Sequence, residues 1–325
     1  MPADGAPNRP ISLQPFGQVP FRAVCGVAAL VHSRAMDGTL RLASHPGKTL
    51  VQLQKDTEHV LMPAPWILLR GLTREAGHWG EFVPLLREAV APHRVLTPDL
   101  PGNGMRWAER SAATVPALME AVRAALAAQG LHPPYRLLGM SLGAMACVAW
   151  AEMYADEVEA MVLVNTSLRP FSGFYQRLLP RAWLPLARLL TLGASPEAME
   201  QAVLALTSRN NFSESARAQL IAQWVDLRQR HPVSRASAVN QLLAAARYRA
   251  PQAAPDMPIL VVGTHGDRLV SPRCSEALAR HWRVPLVQHA DAGHDLPLDA
   301  AEWLAAQVAR FQAALSPGEL GVSAE

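Results

Sequence analysis

Cysteine is scarce in this chain. The three present, Cys25, Cys147 and Cys274, lie far apart with no Cys-x-x-Cys pair. That spacing speaks against a disulfide framework and a thiolate zinc site, and it suits a reducing compartment. Long apolar runs are missing too, since nothing approaches the roughly 20 residues that cross a bilayer. The nearest imitation is Ala23–Val31 followed by Ser33-Arg34-Ala35, a short signal-like core whose amino-terminal flank carries little positive charge. A cytoplasmic protein is expected, with secretion through that segment as the alternative. Neither sign of charge dominates: 30 basic and 27 acidic residues leave a formal +3. The basic residues are scattered rather than gathered in a stripe, so no nucleic-acid partner is implied.

What is present is 50% hydrophobic and 18% charged, enough apolar matter for a large core. At 325 residues the chain suits one large α/β domain with an insert. Residues 1–47, rich in proline, glycine and small polar side chains, read as a mobile leader. Leu50–Leu53 and His59–Met62 are candidate short strands. Trp66–Arg70 is a continuous apolar run stopped by Gly71, as in a buried parallel strand. A helix over Trp79–Val90 and a strand over Arg94–Pro98 follow. Thr114 opens a helix that Gly130 ends, and the strands Tyr135–Met140 and Ala160–Asn165 flank another helix. Strands alternating with helices predict a mostly parallel sheet covered by helices on both faces.

From 168 to 250 the pattern is helical only, with Ser195-Pro196 and Ser213 as helix starts, and this reads as an inserted helical cap. The sheet resumes with Pro258–Gly263, a helix over Pro272–Trp282, the strand Val284–Gln288 and a closing helix over Leu298–Leu315. The core is therefore expected over 48–167 and 251–316, with a frayed tail after Ser316.

Gly139-Met140-Ser141-Leu142-Gly143 is the most informative stretch. It joins an apolar strand to a helix, where a strained turn lifts a serine hydroxyl clear of the sheet. A serine needs an imidazole to take its proton and a carboxylate to fix the imidazole tautomer. In an open α/β sheet both should follow later strands, at their carboxyl ends. Asp267 follows the strand ending at Gly263, and His294 follows the next. Asp291 and Asp295 do not sit after the earlier strand, and His265 and His289 are less well placed than His294. Singly, Asp267 reads equally well as a turn cap and His294 as a loop residue. Three residues in the order Ser141, Asp267, His294 after three strands favour chemistry. The amides of Leu142 and Leu72 are the candidate oxyanion donors.

With these motifs, and with Asp99-Leu-Pro-Gly102-Asn-Gly104 beside them, the sequence from about 65 to 315 resembles the α/β-hydrolase superfamily, of the small bacterial carboxylesterase type. The resemblance implies hydrolysis of carboxylic esters or thioesters through an acyl-enzyme, with no metal or organic cofactor. One departure is Arg70-Gly71, where many relatives carry His-Gly. The expected substrate is a short- to medium-chain carboxylic ester. An acyl thioesterase or acyl transferase with the same triad is the near alternative, and a ligand-binding protein with little turnover the distant one. The aromatic-rich insert suggests an apolar pocket including Phe171 and Trp183, with His78 and Trp79 lining the same cleft. Arg169, Arg177, Arg181 and Arg188 read either as a solvated helix face or as holders of a substrate anion. A monomer or homodimer is expected, with a small-molecule ester as the partner.

Overall fold

The computed structural model describes residues 63–191 and 195–315. The expected leader, the signal-like segment with Cys25, the two short strand candidates at Leu50–Leu53 and His59–Met62, the tail, and the side chains of Leu189 and Leu190 lie outside the described residues. The strands are β1 (Trp66–Leu69), β2 (Val95–Leu96), β3 (Tyr135–Met140), β4 (Val158–Val164), β5 (Ile259–Thr264) and β6 (Leu286–His289). They form one parallel sheet in the order β2-β1-β3-β4-β5-β6. Ile67 lies beside Leu137, and Met140 beside Val164.

Why the sheet needs two covered faces is visible in β1. Ile67 and Leu69 enter one apolar cluster with helices α2 (Val115–Ala128), α3 (Leu142–Met153) and α9 (Arg273–Trp282). Trp66 and Leu68 enter the other, with α1 (Phe82–Ala89) and α11 (Ala301–Leu315). Alternate residues of a strand face opposite sides, so an unbroken apolar run buries both. Full burial of a side chain such as Ile67 or Leu68 contributes roughly 1.5–3 kcal/mol. Helix α3 is buried from Leu142 through Ala151, in keeping with a sequence that is apolar all round.

The strand order sets the position of the site. From β1 the chain moves outward to the edge strand β2, then returns to β3 and proceeds through β4, β5 and β6. Neighbours β1 and β3 therefore send their connections to opposite sides, and a crevice opens beyond their carboxyl ends.

Between β4 and β5 the chain forms α4 (Phe174–Arg177), α5 (Pro180–Thr191), α6 (Pro196–Thr207), α7 (Glu214–Arg230) and α8 (Arg235–Arg247). Ser195, Ser213 and Ser234 accept hydrogen bonds from the amides of Ala198, Ala216 and Ser237 at 3.2, 3.2 and 3.1 Å, closing the amino ends of α6, α7 and α8. Three local expectations need correction. The helix expected over Trp79–Val90 is a 3₁₀ turn, Ala76–Trp79, followed by α1, because Gly80 at φ 50° breaks the run. The closing helix begins earlier, as the short α10 (Leu296–Asp299) that leads into α11. Thr114 stands at the start of α2, but its hydroxyl makes no capping bond. Among the described residues no helix is long and apolar enough to cross a membrane.

Candidate active site

Ser141 sits between β3 and α3 with φ 55° and ψ −115°, a conformation that a side-chain-bearing residue keeps only when its surroundings enforce it. Those surroundings are tight. The Ser141 amide donates to the Val164 carbonyl at 2.9 Å, and the Ser141 carbonyl accepts from Thr166 Oγ1 at 3.0 Å. A β-carbon on Gly139 would stand 2.5 Å from the Ala144 nitrogen, and one on Gly143 would collide with the Leu69 carbonyl oxygen. The two glycines thus let α3 pass against β1 and β3 at backbone distance.

The loop after β1 crosses the serine directly. A β-carbon on Gly71 would lie 3.2 Å from Ser141 Cβ and 3.7 Å from its Oγ. The next residue is Leu72, whose amide, like that of Leu142 at the head of α3, donates to no protein group among the described residues. Such amides are free to meet negative charge.

Asp267 and His294 arrive from β5 and β6. His294 Nδ1 lies 2.7 Å from Asp267 Oδ2, with both side chains buried. The other carboxylate oxygen, Oδ1, accepts from the amides of Leu269 and Val270 at 2.7 and 2.9 Å, which fixes its orientation. A partner not foreseen from sequence is Asn165, at the exit of β4 with φ 43°. It donates to the His294 carbonyl at 2.9 Å and so ties the histidine loop to the strand beside the serine. Ser141 and His294 line one cavity of about 90 Å³ together with Gly71 and Leu72.

Arg70, the departure from the His-Gly pattern, does not enter that chemistry directly. Its Nη1 and Nη2 donate to the two carboxylate oxygens of Asp295 at 3.1 and 2.7 Å, and its guanidinium lies 4.8 Å from the Trp79 ring centre. The end of β1 is thereby clamped to the residue after His294. Burial alone would push the Asp295 carboxyl up, but Arg70, Arg74 and His294 outweigh it and hold its pKa below the ordinary value. Asp295 is thus engaged by arginine and leaves the imidazole to Asp267.

A second buried charge group lies over the same loop. Glu200 of α6 is fully buried and accepts from Arg74 at 2.6 Å and from Arg228 of α7 at 2.5 Å. These pairs span 126 and 28 residues of sequence, and no short-range pattern announces them.

Two larger cavities adjoin the first. One, of about 290 Å³, is lined by Ser141, Leu142, Met145, Trp183 and Arg177 among others. The other, of about 420 Å³, is lined by Thr73, Met199, Val233 and Leu242 among others. Leu72 and Leu186 border all three. Of the four side chains expected in the pocket, Trp183 lines it. His78 is instead buried against Trp224, accepting from Arg74 at 2.8 Å. Trp79 packs on Phe82 in the core, since the 3₁₀ turn rotates both residues inward. Phe171 packs on His281, with ring centres 4.4 Å apart, and meets Trp282 edge-on. Among the described residues no group of three histidine, cysteine or carboxylate side chains is placed to hold a metal ion.

The sequence profile of the alpha/beta hydrolase family matches residues 66–307. The chain belongs to that family. No curated protein sequence matches it significantly. Among solved structures, a thermophilic esterase from Thermogutta terrifontis shares 22% identity, 78% of this chain and 91% of its own, with a TM-score of 0.60. The enol-lactonase from Burkholderia xenovorans LB400 shares 22% identity over 77% and 92%, at 0.63. A meta-cleavage product hydrolase from Pseudomonas fluorescens IP01 shares 16% identity over 78% and 92%, at 0.64. At such identities these hydrolases share the fold with this chain, and the reaction has to be argued from its own site.

Proposed function

We propose that this hydrolase is a serine carboxylesterase acting on short- to medium-chain esters through an acyl-enzyme. The observation that carries the reading is convergence: the strained Ser141, the His294 imidazole held by Asp267 at 2.7 Å, and the Leu72 and Leu142 amides all border the serine cleft. Asp267 can only accept from Nδ1, so the neutral ring carries its proton there and leaves Nε2 basic. In this reading Nε2 takes the Ser141 proton as Oγ attacks the ester carbonyl. The oxyanion develops against the two amides, each such donor being worth roughly 100- to 1000-fold in rate. The imidazolium then protonates the departing alkoxide, and water resolves the acyl-enzyme by the same relay.

Because the leaving group must meet His294, the alcohol side of the ester belongs to the small cavity that contains this residue and to the 420 Å³ space beyond it. The acyl chain then occupies the 290 Å³ space, which contains Ser141 but not His294. The helical segment 168–250 acts as a cap over both.

Ser141→Ala is expected to lower para-nitrophenyl ester hydrolysis by at least about 10³-fold and to abolish labelling by a fluorophosphonate, with an unchanged Tm. A folded variant that retains wild-type turnover rules the assignment out.

A further inference from the structure

Seven arginines among the described residues, Arg70, Arg74, Arg106, Arg123, Arg136, Arg177 and Arg228, are buried or half-buried. Six of them are matched by carboxylates: Arg70 by Asp295, Arg74 and Arg228 by Glu200, Arg106 by Glu109, Arg123 by Glu157 and Arg136 by Glu159. Arg177 is the exception. Its Nε donates to the Ser167 carbonyl at 3.4 Å, and its Nη1 and Nη2 to the Ala246 and Ala245 carbonyls at 3.3 and 2.6 Å. The latter two belong to the last turn of α8 and bring only partial negative charge. A guanidinium has five N–H groups, so these three bonds hold it in place without using all its donors. Burial lowers its pKa, and the nearby exposed Arg169 pushes the same way.

Location makes this exception informative. Among the described residues Arg177 is the one charged side chain lining the 290 Å³ cavity, with Leu142, Met145, Phe174, Trp183, Leu186 and other mainly apolar groups, and Ser141 lines it too. A half-buried cation without a counter-ion costs free energy, and an anion delivered into a pocket of low polarity would recover it through charge-assisted, fork-like hydrogen bonds.

We infer that Arg177 is a specificity-determining residue that receives a carboxylate at the far end of the acyl chain, so that the enzyme's ester substrates are half-esters of dicarboxylic acids. The inference rests on the serine esterase reading for the placement of the acyl chain, and its test is arranged to fail separately from that reading. Hydrolysis of para-nitrophenyl hexanoate, and its loss in Ser141→Ala, reports on the esterase assignment alone. The ratio of kcat/KM for para-nitrophenyl hemiadipate to that for the hexanoate reports on Arg177. The wild-type ratio is expected to be about 10 to 100. It should fall to about 1 or below in Arg177→Gln and lie between these values in Arg177→Lys, which keeps the charge but loses the fork.

A purely structural role for Arg177 in closing α8 would depress both esters together and leave the ratio unchanged, and that result overturns the inference. A wild-type preference for the neutral ester overturns it as well. Binding supplies a readout that needs neither turnover nor a soluble Gln variant: free adipate should raise the Tm of Ser141→Ala protein, and hexanoate at the same concentration should not. Equal shifts count against the site.

Discussion

The elbow at the end of β3 and the helices between β4 and β5 reach their order by different means. At the elbow the determinants are steric and come from backbone. Ser141 is held by Val164 and Thr166 of the neighbouring strand and its exit and is crossed by the Gly71 loop, and Gly139 and Gly143 are required by the close approach of the Ala144 and Leu69 backbone. The helices between β4 and β5 have a small apolar cluster of Leu204, Ile221 and Trp224, and much of their attachment is polar. Glu200 lies between Arg74 and Arg228. Gln241 accepts from the Thr73 amide at 2.8 Å and donates to Asn103 and Ser111, each at 2.8 Å. One region is specified by shape and the other by pairs of groups, which bear loss differently: shape has no partial substitute, whereas a lost partner leaves a group that water can reach once the helices loosen.

The sharpest break of this contrast is Gly143→Ala. The added methyl would meet the Leu69 carbonyl oxygen at the carboxyl end of β1, and buried backbone on both sides leaves it nowhere to go. A stability loss above about 4 kcal/mol is expected, read as a fall in the urea midpoint, together with loss of fluorophosphonate labelling at Ser141. Near-normal stability in this variant would mean that the elbow yields far more than its geometry implies.

Glu200→Gln probes the other region. The substitution keeps the shape and removes the charge, leaving the buried Arg74 and the half-buried Arg228 without the carboxylate they share. Breaking one side of a buried ion pair costs about 3 kcal/mol or more. Because Arg74 is on the loop that carries Leu72, activity should fall with stability, and protease cleavage within α6 and α7 should accelerate while the sheet stays protected. Uniform loss of protection across sheet and helices would instead make the molecule a single cooperative unit and remove the distinction drawn above.

The same division explains what could be read before the fold was known. The parallel sheet was legible because buried strands announce themselves as short apolar runs, such as Trp66-Ile67-Leu68-Leu69. The positions of Ser141, Asp267 and His294 beyond the carboxyl ends of β3, β5 and β6 were legible because each follows such a run. Asp295 could be set aside as the histidine's partner from its position, but its attachment to Arg70, 225 residues away, could not be inferred from spacing. His78 and Trp79 show the opposite failure. Their nearness in sequence to Leu72 suggested the cleft, and a single 3₁₀ turn sends both into the interior. Glu200 carried no signal at all, since a charged residue on a helix is ordinarily solvated.

The smallest expected effect concerns His78, where the two regions touch. Its ring packs on Trp224 of α7 at 5.6 Å, and Arg74, which can only donate, faces its Nε2 at 2.8 Å. Burial is the main reason why its pKa lies well below the usual histidine value, and the positive charges of Arg74 and Arg70 push the same way. In the unfolded chain the ring takes up a proton near pH 6.5, while in the folded chain it stays neutral. The unfolded state therefore binds more protons below that pH, and stability must fall as pH falls. Between pH 7.5 and 5.5, above the range of ordinary carboxylates, the loss from this residue should be about 1 kcal/mol. His93 is also shifted down by burial and contributes to the total slope, so the decisive quantity is the difference between wild type and His78→Gln. A flatter stability profile in the variant supports a neutral, buried ring at the seam between sheet and helices, and an identical slope would show that the proton finds its way in.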